Sequence, residues 1–223
     1  MCGRFTLSVE DPNDIASALG VPLDQVPESW IARYNVAPMQ RHFLVRQDLE
    51  DRALVSARWG LTNHWAKDNK RSSRQINARA ETVVERPAYR QAFKARRCVI
   101  PADGFYEWTG PKTERMPHWI SPRDGGLLLF AGLYESWERE PDDWEMTFTI
   151  ITTSANALME PLHDRMPVIL SDDATDQWLF EDASGDALRA LLRPAAEDLL
   201  AVRDASPLVN SVKNEGPELL ATG

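Results

Sequence analysis

Long apolar runs are missing from this 223-residue chain: no stretch approaches the ~20 consecutive apolar residues that a membrane-crossing helix requires. Met1 to Asp14 holds neither an apolar core nor a small-residue cleavage site, so no secretory signal is expected, and no lipid-anchor context surrounds Cys2. The expected location is the cytoplasm. Cysteine is scarce as well. Cys2 and Cys98 are the only two, a poor basis for a disulfide framework or a thiolate metal site, and Cys98, among Val and Ile, reads as a buried structural thiol. Neither common glycine-rich phosphate loop occurs, nor any internal repeat, low-complexity tract or long linker. No metal and no organic cofactor is expected.

Positive charge is in deficit overall, with a net charge of −9, but it is unevenly spread. Residues 1–98 carry a balance of +5 and residues 99–223 one of −14. Between Lys70 and Arg97, nine Lys and Arg meet only Glu81 and Glu85. Such asymmetry suits a phosphate-binding face on an otherwise acidic protein, and it equally suits a solvated basic helix that pairs with the acidic half.

Periodicity is mixed. Asp11-Pro12 reads as the cap of a short helix that Gly20 ends. The runs 41–47, 52–59, 98–108, 127–136 and 145–153 alternate or cluster as strands do. A helix is expected from Pro87, carrying Tyr89, Arg90, Phe93, Lys94 and Arg97, with its basic residues outward. Ser154, Ser171 and Ser184 read as N-caps of three more short helices. Strands interspersed irregularly with short helices point to an α+β fold, a mostly antiparallel, curved or barrel-like sheet flanked by short helices, in one domain over residues 1–223.

The chain begins Met1-Cys2-Gly3-Arg4-Phe5. A small second residue permits removal of the initiator methionine, which leaves Cys2 with a free α-amine beside a thiol. Their reference pKa values, about 8 and about 8.5, leave both partly available at neutral pH. Together they can close a thiazolidine on an aldehyde, and the same groups can attack an amide or ester. Alone, a cysteine at position 2 is also compatible with an incidental residue.

Six blocks change that balance. They are Met1-Cys2-Gly3-Arg4-Phe5, Tyr34-Asn35-Val36-Ala37-Pro38, Trp59-Gly60-Leu61, Asn77-Ala78-Arg79-Ala80-Glu81-Thr82, the run from Arg97 to Trp108, and His163-Asp164-Arg165-Met166-Pro167. In this order they resemble the SOS response-associated peptidase (SRAP) family, whose members process abasic sites and crosslink to single-stranded DNA. One departure stands out: Thr62-Asn63-His64 precedes Trp65 where the family usually has an apolar residue and Pro.

The resemblance implies roles. Cys2 becomes the nucleophile, Asn77 the residue that holds the abasic sugar, Glu107 the carboxylate of the catalytic cluster, and His163 the proton donor that opens the sugar ring. Read on their own, Asn77 also fits a turn, Glu107 an outward strand position, and His163 a structural histidine. Arg4 and Arg79, then Arg86 and Arg90, are candidates for phosphates flanking the lesion. Trp65 and Trp59 are candidates for stacking on bases, and Pro38 for shaping the pocket or wedging between bases. The expected partner is single-stranded DNA with an abasic site, bound by a monomer that is nucleoid-associated when engaged. Two other readings stay open: a cysteine peptidase that removes its own Met1, and a non-covalent single-strand-binding module.

Overall fold

The computed structural model describes residues 2–49, 51–111, 113–180 and 185–221. In chain order its elements are β1 (Phe5–Leu7), α1 (Pro12–Leu19), β2 (Arg33–Val36), β3 (Arg41–Asp48), β4 (Asp51–Trp59), β5 (Asn77–Arg79), α2 (Arg90–Ala95), β6 (Arg97–Ala102), β7 (Gly104–Thr109), β8 (Met116–Pro122), β9 (Leu128–Glu140), β10 (Asp143–Ser154), β11 (Arg165–Pro167), β12 (Ile169–Leu170), α3 (Asp172–Leu179), α4 (Gly185–Ala190) and β13 (Leu200–Asp204), with short 3-10 turns between. Among these elements no helix is long and apolar enough to cross a membrane.

The strands form two sheets. The first runs β13-β8-β7-β1-β2. In the second, β10, β4, β3, β6 and β9 pair in sequence and β9 pairs back onto β10, so five strands close a ring, with β5, β11 and β12 added outside it. Closure removes the unpaired edges that an open sheet exposes. Pairing is antiparallel apart from the short parallel ladders of β10 with β4 and with β5. The α+β, barrel-like, mostly antiparallel expectation is met.

One core lies between the sheets, where Phe5, Phe105 and Ile120 meet Leu44, Trp59, Phe130 and Phe148. A second lies where the helices cover the ring, with Ile15, Leu19, Phe93 and Trp178 against Val45, Val99 and Leu133. Burying each such large side chain contributes about 1.5–3 kcal/mol. Local signals act as read at α1, where the Asp11 side chain accepts from the Asn13 amide and Gly20 closes the helix in the left-handed region at φ 62°, and at α3, capped by Ser171.

Other expectations are corrected. The helix expected from Pro87 begins at Arg90 and ends at Ala95. Arg97 lies beyond it at the start of β6, 5 % exposed, its guanidinium donating to the backbone oxygens of Trp178, Phe93, Lys94 and Phe180; it binds the fold and not solvent. Ser154 caps no helix, because β10 runs through it and pairs with Arg165. The run 98–108 is two strands, parted at Asp103, whose carboxylate accepts from Thr6 and Ser8. Next to it, only glycine fits position 104, since a Cβ there would meet the Trp119 ring at 2.4 Å. The Ser184 cap and the fate of Met1 fall outside the described residues.

Candidate active site

Register brings the first residues of the chain to Glu107. Phe5 pairs with Phe105, and the Tyr106 amide donates to the Arg4 carbonyl at 2.9 Å, so Gly3 and Glu107 stand at the same level of adjacent chain segments. On the other side, β5 lies parallel to β10 with Asn77 level with Ile150. The Asn77 amide nitrogen donates to the Cys2 carbonyl at 2.8 Å. The amide oxygen of Asn77 is buried and accepts no hydrogen bond from the described residues. A buried acceptor left open costs about 1–3 kcal/mol.

Cys2 is fully buried. Burial first, then the nearby charge of Glu107, pushes its thiol well above the ordinary cysteine range. The expectation that thiol and amine are both partly available therefore holds only for an exposed terminus; here the sulfur keeps its proton. Burial likewise raises the Glu107 carboxyl, against the pull of His163 and Arg115. At 4 % exposure, Glu107 is an inward-facing strand residue, not an outward one.

His163 follows a turn in which its own amide donates to the Met159 carbonyl. Its Nδ1 lies 2.9 Å from the Arg165 amide and 2.7 Å from the Asp164 carboxylate. A backbone amide can only donate, so it fits the neutral ring with Nδ1 as acceptor, while the Asp164 contact fits the protonated ring. In both states Nε2 carries a proton. His163 and Glu107 line one cavity of about 650 Å³ together with Gly3, Arg4, Trp108, Arg115 and Asn210.

The remaining candidates divide. Arg79 is exposed two residues beyond Asn77, on the same face of β5. Arg86, Arg71, Arg74 and the 61 % exposed Trp65 line a second cleft of about 750 Å³, and Tyr89, which also lines it, donates its hydroxyl to the Asn77 carbonyl at 3.3 Å. The cleft thus shares a wall with β5. Arg90 is exposed but does not line it. Pro38 is half-buried in the turn that carries Met39 to the Trp59 carbonyl.

Trp59 does not stack on bases. It is 0 % exposed, its indole donates to the Ile76 carbonyl, and its ring stacks on Phe148. Arg4 lines the cavity with its NH1 already committed, to Asn35 Oδ1 at 2.6 Å and the Val209 carbonyl at 2.9 Å.

Trp108, Arg115 and Asn210 are among the cavity residues that the sequence reading did not single out. The Trp108 indole donates to Asn210 at 2.7 Å. Asn35 binds the same C-terminal segment, donating to the Ser211 and Asn214 carbonyls. Arg115 is one of nine Lys and Arg among residues 99–223, and no local pattern marks it. The Thr62-Asn63-His64 departure is held firmly. Thr62 accepts from Arg58, Asn63 donates to the Ala88 carbonyl and accepts from Gln75, and His64 lies 3.4 Å from Glu135.

The profile of the SOS response associated peptidase (SRAP) family matches residues 1–212. The abasic site processing protein YoqW of Bacillus subtilis is 45 % identical over 225 residues, covering 99 % of each chain. The abasic site processing protein HMCES of Xenopus tropicalis is 31 % identical, covering 99 % of this chain and 78 % of that one. A crystal structure of a Bacteroides thetaiotaomicron protein superposes over all of both chains with a TM-score of 0.88 at 22 % identity, a likeness of fold.

Proposed function

From the chain's membership of the SOS response associated peptidase family, we propose that it is an abasic site processing protein that captures the lesion in single-stranded DNA as a covalent adduct of Cys2. One observation carries the reading. Asn77 grips the Cys2 carbonyl while its own oxygen stays open, and Glu107 and His163 line the cavity beside Gly3.

The chemistry starts from the chain with Met1 removed. His163 donates a proton to the ring oxygen of the closed abasic sugar, the ring C–O bond breaks, and the anomeric hydroxyl gives its proton to water to leave the aldehyde. The Cys2 amine adds to that carbon, and water leaves as the imine forms. The thiol then adds across the carbon–nitrogen double bond, and its proton passes to the nitrogen, closing the thiazolidine. Glu107, its carboxyl raised by burial, is suited to accept and return the amine's protons, and the protonated thiol supplies the last one. The ring ties up the aldehyde carbon and so protects the strand from β-elimination. Arg79, Arg86 and Arg90 serve as phosphate contacts and Trp65 as a stacking platform for a single strand. In this reading one domain acts as a monomer in the cytoplasm and joins the nucleoid when engaged.

Incubation with an abasic-site oligonucleotide tests this. A band that survives denaturation, requires the lesion and disappears in Cys2→Ala is expected; no such band sinks the covalent reading. The family's description as a peptidase supports a second activity, excision of Met1 by Cys2 itself. Intact mass of the Cys2→Ser variant, expressed without aminopeptidase, reads that activity separately.

A further inference from the structure

One cation that lines the cavity lies outside the basic run, on the β7–β8 hairpin. Thr109 pairs with Met116, and the described residues 110, 111 and 113–115 lie between the two strands. Gly110 turns it at φ 83°, where a Cβ would come within 2.8 Å of the Glu114 carbonyl oxygen, and the Glu114 amide donates to Pro111. Asn210 then reaches the Arg115 carbonyl at 3.5 Å while it accepts from the Trp108 indole. Two elements distant in sequence thereby set the Arg115 backbone at the cavity mouth.

Among the described residues the Arg115 guanidinium is exposed and makes no hydrogen bond or ion pair. It lines the same cavity as Glu107 and His163. Its charge also draws the Glu107 carboxyl down against burial, which places the two within electrostatic reach. Arg4 lines the same cavity but differs in exposure and in its bonding. It is partly buried, and its NH1 braces Asn35 and Val209. A guanidinium held in that way has fewer donors left for a ligand, whereas Arg115 has its full fork.

We propose that Arg115 is the residue that receives a phosphodiester next to the abasic sugar, fixing the sugar between Cys2 and His163, while Arg4 is a brace. This rests on the reading of the site as one for abasic DNA. Arg115 adds positive charge where a phosphate would approach Glu107, and its paired N–H groups donate to two phosphate oxygens.

The test is a cycle between protein and backbone, using a short single strand with a tetrahydrofuran abasic analogue, which has no aldehyde and reports binding alone. Neutral methylphosphonate replaces the phosphodiester on one or the other side of the analogue. Wild type is expected to lose about 10-fold in affinity for one of the two replacements. Arg115→Ala should bind the native backbone about 10-fold more weakly and be indifferent to that replacement, with a shallower salt dependence by about one phosphate contact. Arg115→Lys should keep the sensitivity in part, which separates a charge contact from a folding defect. If Arg115→Ala binds like wild type, or stays as sensitive to both replacements as wild type, the proposal is overturned. A parallel denaturing gel with the reactive abasic strand reads the covalent step. Phosphonate-dependent binding without a crosslink leaves the Arg115 contact standing and removes only the thiazolidine.

Discussion

Asn77 holds the Cys2 carbonyl at 2.8 Å through one end of its amide, while the oxygen at the other end is buried and accepts nothing from the described residues; in the proposed reading that oxygen receives a donor from the abasic sugar. Neither property survives truncation. In Asn77→Ala, crosslinking of an abasic oligonucleotide should slow by about 10- to 100-fold, the equivalent of one or two lost hydrogen bonds in a buried site. Single-turnover rates on denaturing gels measure it, with thermal unfolding as the control for the fold. A rate within two-fold of wild type would falsify the assigned role.

Glu107 predicts a pH profile. Burial raises its carboxyl, and only the deprotonated form accepts a proton, so the rate should climb with pH along a limb lying above the ordinary carboxylate value of about 4.3. In Glu107→Gln that limb should vanish and the plateau fall by about 100-fold or more. Rates between pH 5 and 8 decide. If the limb persists unchanged in the variant, it belongs to another group, with His163 the first to examine.

Trp59 and Trp65 should separate cleanly. Trp59→Ala removes a fully buried ring stacked on Phe148 and should destabilise the fold by about 3–5 kcal/mol. Trp65→Ala should leave the unfolding midpoint nearly unchanged and weaken single-strand binding by about 1–3 kcal/mol. Urea titration and fluorescence anisotropy report the two effects. Equal losses of stability in both variants would contradict this division.

His42 predicts acid sensitivity. Its ring is buried against Phe5, 3.1 Å from the Pro101 carbonyl, and burial lowers its pKa to about 4. The unfolded chain ionises near 6.5 and so binds the proton first as pH falls. The stability this neutral ring contributes is complete above about pH 6.5, declines between 6.5 and 4, and levels below 4. The loss approaches about 3 kcal/mol. His42→Gln, which has no titrating ring, should show a smaller decline over that window by urea midpoints. An identical decline in both proteins would assign the effect to other groups.

Much of this was legible locally. Asp11 and Gly20 bound α1 because a cap and a left-handed glycine act within one turn, and the strand runs declared themselves by alternation. Ser154 misled because a residue able to cap a helix also fits a strand, and pairing with β11 decided in favour of the strand. Arg97 and Trp59 misled for a related reason. Arg97 follows a basic run that reads as an outward helix face, and Trp59 reads as an aromatic for stacking, yet β6 and the end of β4 face packed layers. The Tyr34-Asn35 block, recognisable as a pattern, carries a role no pattern states: Asn35 ties Arg4 to the C-terminal segment.

The order of residues along the chain was enough to determine the chemistry on offer: an amine and a sulfur on Cys2, an amide at Asn77, a carboxylate at Glu107, an imidazole at His163. Their types are written in the side chains and need no neighbours to be known. Their meeting is a matter of tertiary structure. Register between β1 and β7 and between β5 and β10 brings Glu107 and Asn77 to the start of the chain, and one cavity joins positions as far apart as 3 and 163. The surrounding layers then exclude water, hold a proton on the sulfur and raise the carboxyl. Solvation and side-chain direction depend on what packs against a strand, and that partner comes from elsewhere in the chain.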